Sequence, residues 1–321
     1  MTFLKFTKRT CVAAALLLLL QPDRLTAQTD DDAIMMSKQN LCVGGSYSYS
    51  SWKNYWEGTL KRNNLNLGRV STRMYGLMAT YGITDKLNVI VGAPYVTTHA
   101  SAGTLHGEKG VQDLSAWLKW DVVEKNLGKG VLSIYAIGGG SIPLTNYIAD
   151  YLPLSIGLQS KTLSGRVMAD YQVKNFFVTG LYTYTWRHNI KIDQNAYYTT
   201  ELIESNQVEM PNMDAYMFRA GYRSDRWIIE GLYSGMVTLG GFDIRRNDMP
   251  FPSNRMNSTM AGAHVKYTFP WVKGLSVNAM AEYTLTGRNV GQATTYDGGV
   301  FYILDFTHKK KVSANATPKT N

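Results

Sequence analysis

The stretch Gln112–Val122, QDLSAWLKWDV, alternates apolar and polar side chains along its whole length. One parity holds Leu114, Ala116, Leu118, Trp120 and Val122, and the other holds Asp113, Ser115, Trp117, Lys119 and Asp121. Side chains of a strand alternate between two faces, whereas a helix repeats about every 3.6 residues and would mix the two sets. The stretch therefore predicts a β-strand with one apolar face and one polar face.

Similar alternating stretches recur through the chain, and their connections switch between short turns and longer polar loops. An even number of strands joined in this way is typical of a barrel that crosses a membrane. The predicted fold class is all-β, a membrane-spanning antiparallel up-and-down β-barrel of about twelve strands. The strands are expected at 41–51, 69–83, 86–97, 111–122, 130–141, 156–173, 176–187, 213–223, 227–239, 257–269, 275–286 and 296–306.

Two other fold classes fit the sequence less well. After the N-terminal region the chain has no run of about 20 apolar residues, which excludes a helical membrane protein. A soluble β-sandwich also alternates, but its strands are usually about 5–6 residues long and its connections are not sorted by length. The 21 Tyr and 7 Trp of the chain suit aromatic girdles at the two membrane boundaries.

The chain divides into four predicted segments. Residues 1–27, with Lys5, Lys8 and Arg9 before an apolar run, read as a signal peptide. A periplasmic N-terminal segment is expected over 28–40, the transmembrane barrel over 41–306 and a periplasmic polar tail over 307–321. These segments predict a protein of the outer membrane of a Gram-negative bacterium. Cys42, the one cysteine after the predicted cleavage point, has no partner for an intramolecular disulfide.

Three short motifs resemble a known family. They are Tyr81-Gly82-Ile83-Thr84-Asp85-Lys86-Leu87, then Gly92-Ala93-Pro94, then a strand that begins at Gly110 with Asp113-Leu114 and Lys119. Together they are similar to the outer-membrane barrel family named for the meta-pathway of phenol degradation, over roughly the second to fourth strands. The resemblance implies a channel or transporter for small, often aromatic, compounds.

The apolar face of each predicted strand must meet lipid, so the polar face must line the interior. Ten interior residues are predicted as lumen or pathway candidates: Asp113, Lys119, Arg166, Asp170, Arg219, Arg223, Glu230, His264, Lys266 and Glu282. Charges of both signs in a pore create transverse fields that favour polar solutes. The same residues could instead pair with one another and fill the barrel, since buried charge must be paired or wet.

The predicted function is a channel or transporter-like barrel that admits a small solute, including an aromatic or other hydrophobic compound, with no chemical step and no cofactor. One alternative is a structural or adhesive surface barrel with a plugged lumen. A less favoured one is an outer-membrane hydrolase, because His264 faces the interior, away from a lipid substrate, and the remaining His residues lack metal-ligand spacing. Expected partners are outer-membrane lipids, the barrel-assembly machinery and an unidentified solute, with no nucleic acid.

Overall fold

The computed structural model describes residues 29, 31–246 and 248–307. The predicted signal peptide at 1–27 and all but Thr307 of the predicted tail at 307–321 lie outside these residues. None of the described residues forms a helix long and apolar enough to cross a membrane.

The described chain forms one closed antiparallel sheet. Its thirteen segments make twelve barrel strands, because two of them are parts of one strand interrupted at Gln112. The strands are β1 (Asn40–Trp52), β2 (Val70–Thr84), β3 (Leu87–Ala100), β4 (Lys109–Val111 and Asp113–Leu127), β5 (Gly130–Pro143), β6 (Thr162–Val173), β7 (Phe176–Arg187), β8 (Met213–Arg223), β9 (Trp227–Thr238), β10 (Asn257–Thr268), β11 (Leu275–Arg288) and β12 (Thr294–Asp305). Each strand pairs with the next along the chain, and β1 pairs with β12 from Asn40 opposite Asp305, which closes the barrel. The predicted fold class and strand number are confirmed.

Short turns join the strands at the end that is predicted to face the periplasm. Several of these turns contain a residue with a positive φ: Gly128 at 60° and Gly274 at 85°, where glycine adopts it without steric cost, and Lys174 at 53°. The connection expected over 123–129 is shorter than predicted. Because β4 runs on to Leu127, only Gly128 and Lys129 remain as the turn.

The loops at the opposite end are long and packed. The loop after β1 contains the hairpin Asn54–Glu57 with Leu60–Asn63, and the loop after β7 contains two smaller strand pairs. The strand predicted over 156–173 begins at Thr162 instead. Its first residues belong to the outer loop, where Ile156 packs with Val96 and Tyr147. Alternation of apolar and polar residues therefore does not distinguish a barrel strand from a loop whose apolar side chains are buried beneath other loops.

The barrel wall has an apolar outer surface and a polar interior. On β4, Leu118 and Trp120 are each 52% exposed, whereas Lys119 between them is fully buried. Val167 on β6 and Val178 on β7 are likewise exposed, and polar neighbours such as Asp170 and Thr179 are buried inside. This is the distribution that suits lipid around the barrel.

A charge on the outer surface should therefore destabilise the barrel. Val167 lies at the middle of β6, so Val167→Arg is expected to lower the free energy of unfolding in lipid vesicles by about 2–4 kcal/mol. Urea titration followed by tryptophan fluorescence measures this change. Leu202→Arg in an outer loop serves as the control and should leave the unfolding free energy within about 0.5 kcal/mol of wild type. Equal effects of the two substitutions would contradict the membrane-facing assignment of this surface.

Candidate functional site

The lumen is occupied by the chain's own N-terminal segment, residues 31–36 together with Thr29. The side chain of Lys119 is fully buried and donates from Nζ to the carbonyl oxygens of Thr29 at 3.2 Å and Ile34 at 2.9 Å. It also donates to the carbonyl oxygen of Asp32 and, at 3.1 Å, to its Oδ1. A buried ammonium is costly unless its hydrogens find acceptors, so these oxygens hold the segment and satisfy Lys119 together. The predicted periplasmic position of residues 28–40 thus needs correction, because residues 31–36 reach inside the barrel.

A second ionic contact holds the segment from the other side of the barrel. Arg219 donates to Asp31 Oδ2 at 2.6 Å and to Glu230 Oε1 at 3.1 Å. His264 Nδ1 lies 2.7 Å from the same Glu230 oxygen, and Asn278 lies 3.4 Å from His264 Nε2. Four barrel strands, β8 to β11, therefore contribute to one chain of polar contacts that ends on Asp31.

Apolar contacts complete the seat of the segment. Ala33 packs in a buried cluster with Ile137, Met168 and Leu181, and Tyr135 donates a hydrogen bond to its carbonyl oxygen at 3.2 Å. Met36 is 2% exposed and packs with Cys42, Phe301 and Ile303 near the start of the barrel. The segment is thus bound along its length by polar and apolar contacts.

The family-like motif provides the place where the segment passes into the barrel. The carbonyl oxygen of Gly82 accepts a hydrogen bond from the Gln39 amide at 2.8 Å, and Asp85 accepts one from the Lys38 amide at 2.9 Å. A Cβ on Gly82 would lie 2.2 Å from the carbonyl oxygen of Ser37, so only glycine allows this close approach. Gly82, Asp85 and Lys119, all from the motifs singled out in the sequence, contact residues 29–39.

A cavity of about 400 Å³ remains between the segment and the barrel wall. Its polar lining includes Asp31, Arg219, Arg223, Glu230, His264, Lys266, Asn278 and Asp297, and its apolar lining includes Met74, Ile228, Leu232, Met280 and Phe301. Asn278 Oδ1 is buried with no hydrogen-bond donor among the described residues. The size and the mixed lining fit a small solute that has both polar and apolar parts.

Most of the predicted lumen residues are brought together in this interior. Asp170 accepts hydrogen bonds from Thr179 at 2.5 Å and from Arg223 at 3.1 Å, and the Arg223 guanidinium lies 3.9 Å from the centre of the Phe177 ring. Lys266 is 6% exposed and lines the cavity. Their location inside the barrel agrees with the sequence, and their role in a solute pathway stays a prediction.

Three predicted residues lie apart from the segment's main contacts. Asp113 stands at the outer end of β4 and accepts a hydrogen bond from Tyr147 of an outer loop at 2.7 Å. Arg166 donates to Thr183 at 2.9 Å and lies over the Trp117 ring at 4.6 Å. Glu282 is half-buried on the inner side of β11, between the exposed residues Ala281 and Tyr283.

The partners that the segment itself supplies do not follow from the alternation of the strands. Asp31 and Asp32 belong to the run Asp30-Asp31-Asp32, whose charge is opposite to that of the lumen's lysine and arginine side chains. That complementarity was a usable signal. Asp297 also had one, because it lies on the polar parity of its predicted strand, opposite Val300 and Tyr302; Tyr135 had none, because its strand carries apolar side chains on both faces.

The charge state of Asp31 is set by its surroundings. Burial raises the pKa of Asp31, but Arg219, the Thr29 hydroxyl, Arg166 and Lys119 lower it, and the net result is a pKa well below the usual range of a carboxyl group. A group whose pKa is lowered on folding keeps its contribution above its unfolded pKa and loses it as the pH falls through its folded pKa. The contact between Asp31 and Arg219 should therefore persist below pH 4.

Comparisons with known proteins identify the fold. No family model matches the chain, and no curated protein matches it. An outer-membrane channel from Pseudomonas putida F1 aligns with a TM-score of 0.67 at 14% identity, over 86% of this chain and 100% of that one. The NanC porin and the CymD monoaromatic hydrocarbon channel align more distantly, with TM-scores of 0.45 and 0.38 at 9% and 10% identity. They cover 82% and 85% of this chain and 98% and 90% of their own. The fold is that of outer-membrane β-barrels.

Removal of the Lys119 ammonium should loosen the N-terminal segment. In a Cys42→Ala background, Ala33→Cys places a thiol where the native side chain is 8% exposed. Adding Lys119→Met removes the donor to three carbonyl groups, so the maleimide labelling rate of the folded protein should rise about tenfold or more.

Lys125→Met, an exposed position near the end of the same strand, is the matched control and should leave labelling slow. The labelling rate of the background protein, taken as a ratio to that of the unfolded protein at the same pH because only the thiolate reacts, should also stay low from pH 7 down to about pH 4, since the pKa of Asp31 is lowered. Equal labelling rates with and without Lys119 would show that this residue does not hold the segment.

Proposed function

We propose that the protein is an outer-membrane channel of narrow bore that admits a small solute through the barrel interior, without a chemical step. The observation that carries the proposal is the interior itself. A closed barrel with an apolar outer surface encloses a cavity of about 400 Å³ beside a segment held by ion pairs and hydrogen bonds. Water and a small solute can contact the polar lining of the interior. The backbone polar groups of the wall are hydrogen-bonded between strands, so they need no partner from the lipid.

The cavity lining indicates the kind of solute. Its apolar lining comes from Met74 on β2, Ile228 and Leu232 on β9, Met280 on β11 and Phe301 on β12. These side chains favour a compact apolar body, and the polar groups around them favour a solute with a hydrogen-bonding substituent. Three motifs of the sequence resemble the family named for the meta-pathway of phenol degradation, although no family model matches the chain. This resemblance agrees with a small aromatic compound as the solute.

A second candidate is a structural or adhesive barrel with a permanently plugged lumen. The observation in its favour is the same N-terminal segment, which Lys119 and Arg219 hold inside the barrel. The two candidates differ in whether ions cross the reconstituted protein. Two of the outer-loop acids that could serve a hydrolase are instead held in ion pairs, Asp243 with Arg288 and Asp248 with Arg245.

Single-channel recording in a planar bilayer tests the proposal. The mature chain, residues 28–321, should give steady conductance steps in potassium chloride. In Arg219→Ala/Arg223→Ala the ion selectivity should shift toward cations, because the carboxylates of Asp31, Asp170 and Glu230 lose their partners.

Arg245→Ala/Arg246→Ala removes two cations from an outer loop and serves as the control, with selectivity close to that of wild type. A folded but silent barrel would overturn the channel proposal and support the plugged alternative.

A further inference from the structure

An outward-facing basic patch lies at the outer end of β2, β3 and β4. Arg73 on β2 and Lys109 on β4 both stand directly opposite Thr97 of β3, the first through the β2–β3 pairing and the second through the β3–β4 pairing. Both side chains are exposed. Neighbouring strands are about 4.8 Å apart, so the two positions are about 10 Å from each other, on the same face of the sheet. Two long cationic side chains at this spacing can reach one ligand together.

Two further basic side chains, His99 and Arg69, extend the same patch toward the outer rim. His99 is exposed two residues beyond Thr97 on β3, and it pairs with Ser71 of β2. Arg69 is exposed at the start of β2, where it donates to the Ser51 hydroxyl at 3.3 Å. The patch therefore combines the cations Arg69, Arg73 and Lys109 with the imidazole of His99 and with hydroxyl groups of serine and threonine, a set that suits phosphate oxygens.

Few acidic residues lie near these strand ends in the sequence. Between Thr59 and Gly107 the sequence has one acidic residue, Asp85, which lies in a turn at the opposite end of the barrel. Glu108 precedes Lys109, but its carboxylate accepts hydrogen bonds from the amides of Ile148 and Ile156 in an outer loop. The charges of Arg73 and Lys109 are thus not neutralised by an ion pair within the described chain.

The depth of the patch indicates which molecules it meets. Tyr75 and Tyr95 pair with each other and are both exposed, and Tyr47 lies against Tyr75 with ring centres 5.2 Å apart. Such a row of tyrosines marks the boundary between the apolar lipid region and the headgroups. Arg73 is two residues, about 7 Å, farther toward the outside, at the level of the headgroups.

We propose that Arg73 and Lys109, with His99 and Arg69 beside them, form a binding site for a phosphate-bearing lipid headgroup of the outer leaflet. The site rests on the proposed outer-membrane location, and it is independent of whether the lumen conducts. Charge complementarity favours this occupant, because a lipid headgroup with two phosphates matches two cations about 10 Å apart. At β7 and β8 the barrel instead carries an acidic residue, Asp214, which accepts a hydrogen bond from Tyr182 at 2.7 Å.

The test uses the full mature chain in detergent micelles, titrated with bisphosphorylated lipid A and observed by native mass spectrometry. Arg73→Gln/Lys109→Gln should weaken binding about tenfold or more, because each of the two lost cations contributes to the affinity for an anionic lipid. Lys86→Gln/Lys125→Gln removes the same charge at the periplasmic end and should bind like wild type. Equal weakening in the two double variants, or none in either, would overturn the proposal.

Further variants and ligands identify the group that is bound, and a folding check excludes misfolded variants. Arg73→Lys/Lys109→Arg keeps both charges and should keep the affinity, whereas loss of binding in this folded variant would contradict a charge-based site. Dephosphorylated lipid A should bind the wild type at least about tenfold less tightly. Displacement of the lipid by inorganic phosphate at equal concentration would contradict a lipid site. Each variant is first checked for the heat-modifiable gel mobility of a folded barrel.

Discussion

The arrangement of the barrel interior depends on one buried ammonium group. Lys119 projects into the barrel with its side chain fully buried, and its donors are taken up by carbonyl oxygens of Thr29, Asp32 and Ile34 and by the Asp32 carboxylate. A strand with lipid on one face must place its polar residues inside, and a lysine that is placed inside needs acceptors. The N-terminal segment supplies them from within the same chain. The segment therefore lies where its oxygens accept hydrogen bonds from the buried lysine of the barrel wall.

The other interior charges follow the same constraint. Arg219 is shared between Asp31 and Glu230, and Arg223 is satisfied by Asp170 and Gln172. Removing one member of such a set leaves its partner buried without compensation, which costs more than the pair contributes. The lumen thus behaves as one connected polar system. A change at one residue is expected to alter both the hold on the segment and the field that a solute meets.

The fold could be predicted almost completely from the sequence, because alternation has a period of two and each strand must expose one apolar face. Alternation around Lys119 correctly predicted which side chains of β4 face the interior. The same rule, applied to the other strands, correctly placed Arg219, Glu230 and Lys266 in the interior. Strand ends were less predictable, as at Ile156, where loop packing imitates a strand. The segment's place was not predictable from alternation, since contacts such as Gly82 with Ser37 join parts of the chain that only the closed barrel brings together.

The most direct test of the role of the N-terminal segment compares the single-channel conductance of the mature chain with that of a chain shortened to begin at Gln39. Without residues 28–38 the carbonyl oxygens that satisfy Lys119 are gone and the lumen widens, so the conductance should rise severalfold while the folded mobility of the barrel is kept. Lys119 would then face the pore without these acceptors, and Arg219 would lose Asp31 while keeping Glu230, so the selectivity should move toward anions. An unchanged conductance in a folded, shortened barrel would contradict the claim that the N-terminal segment controls the lumen.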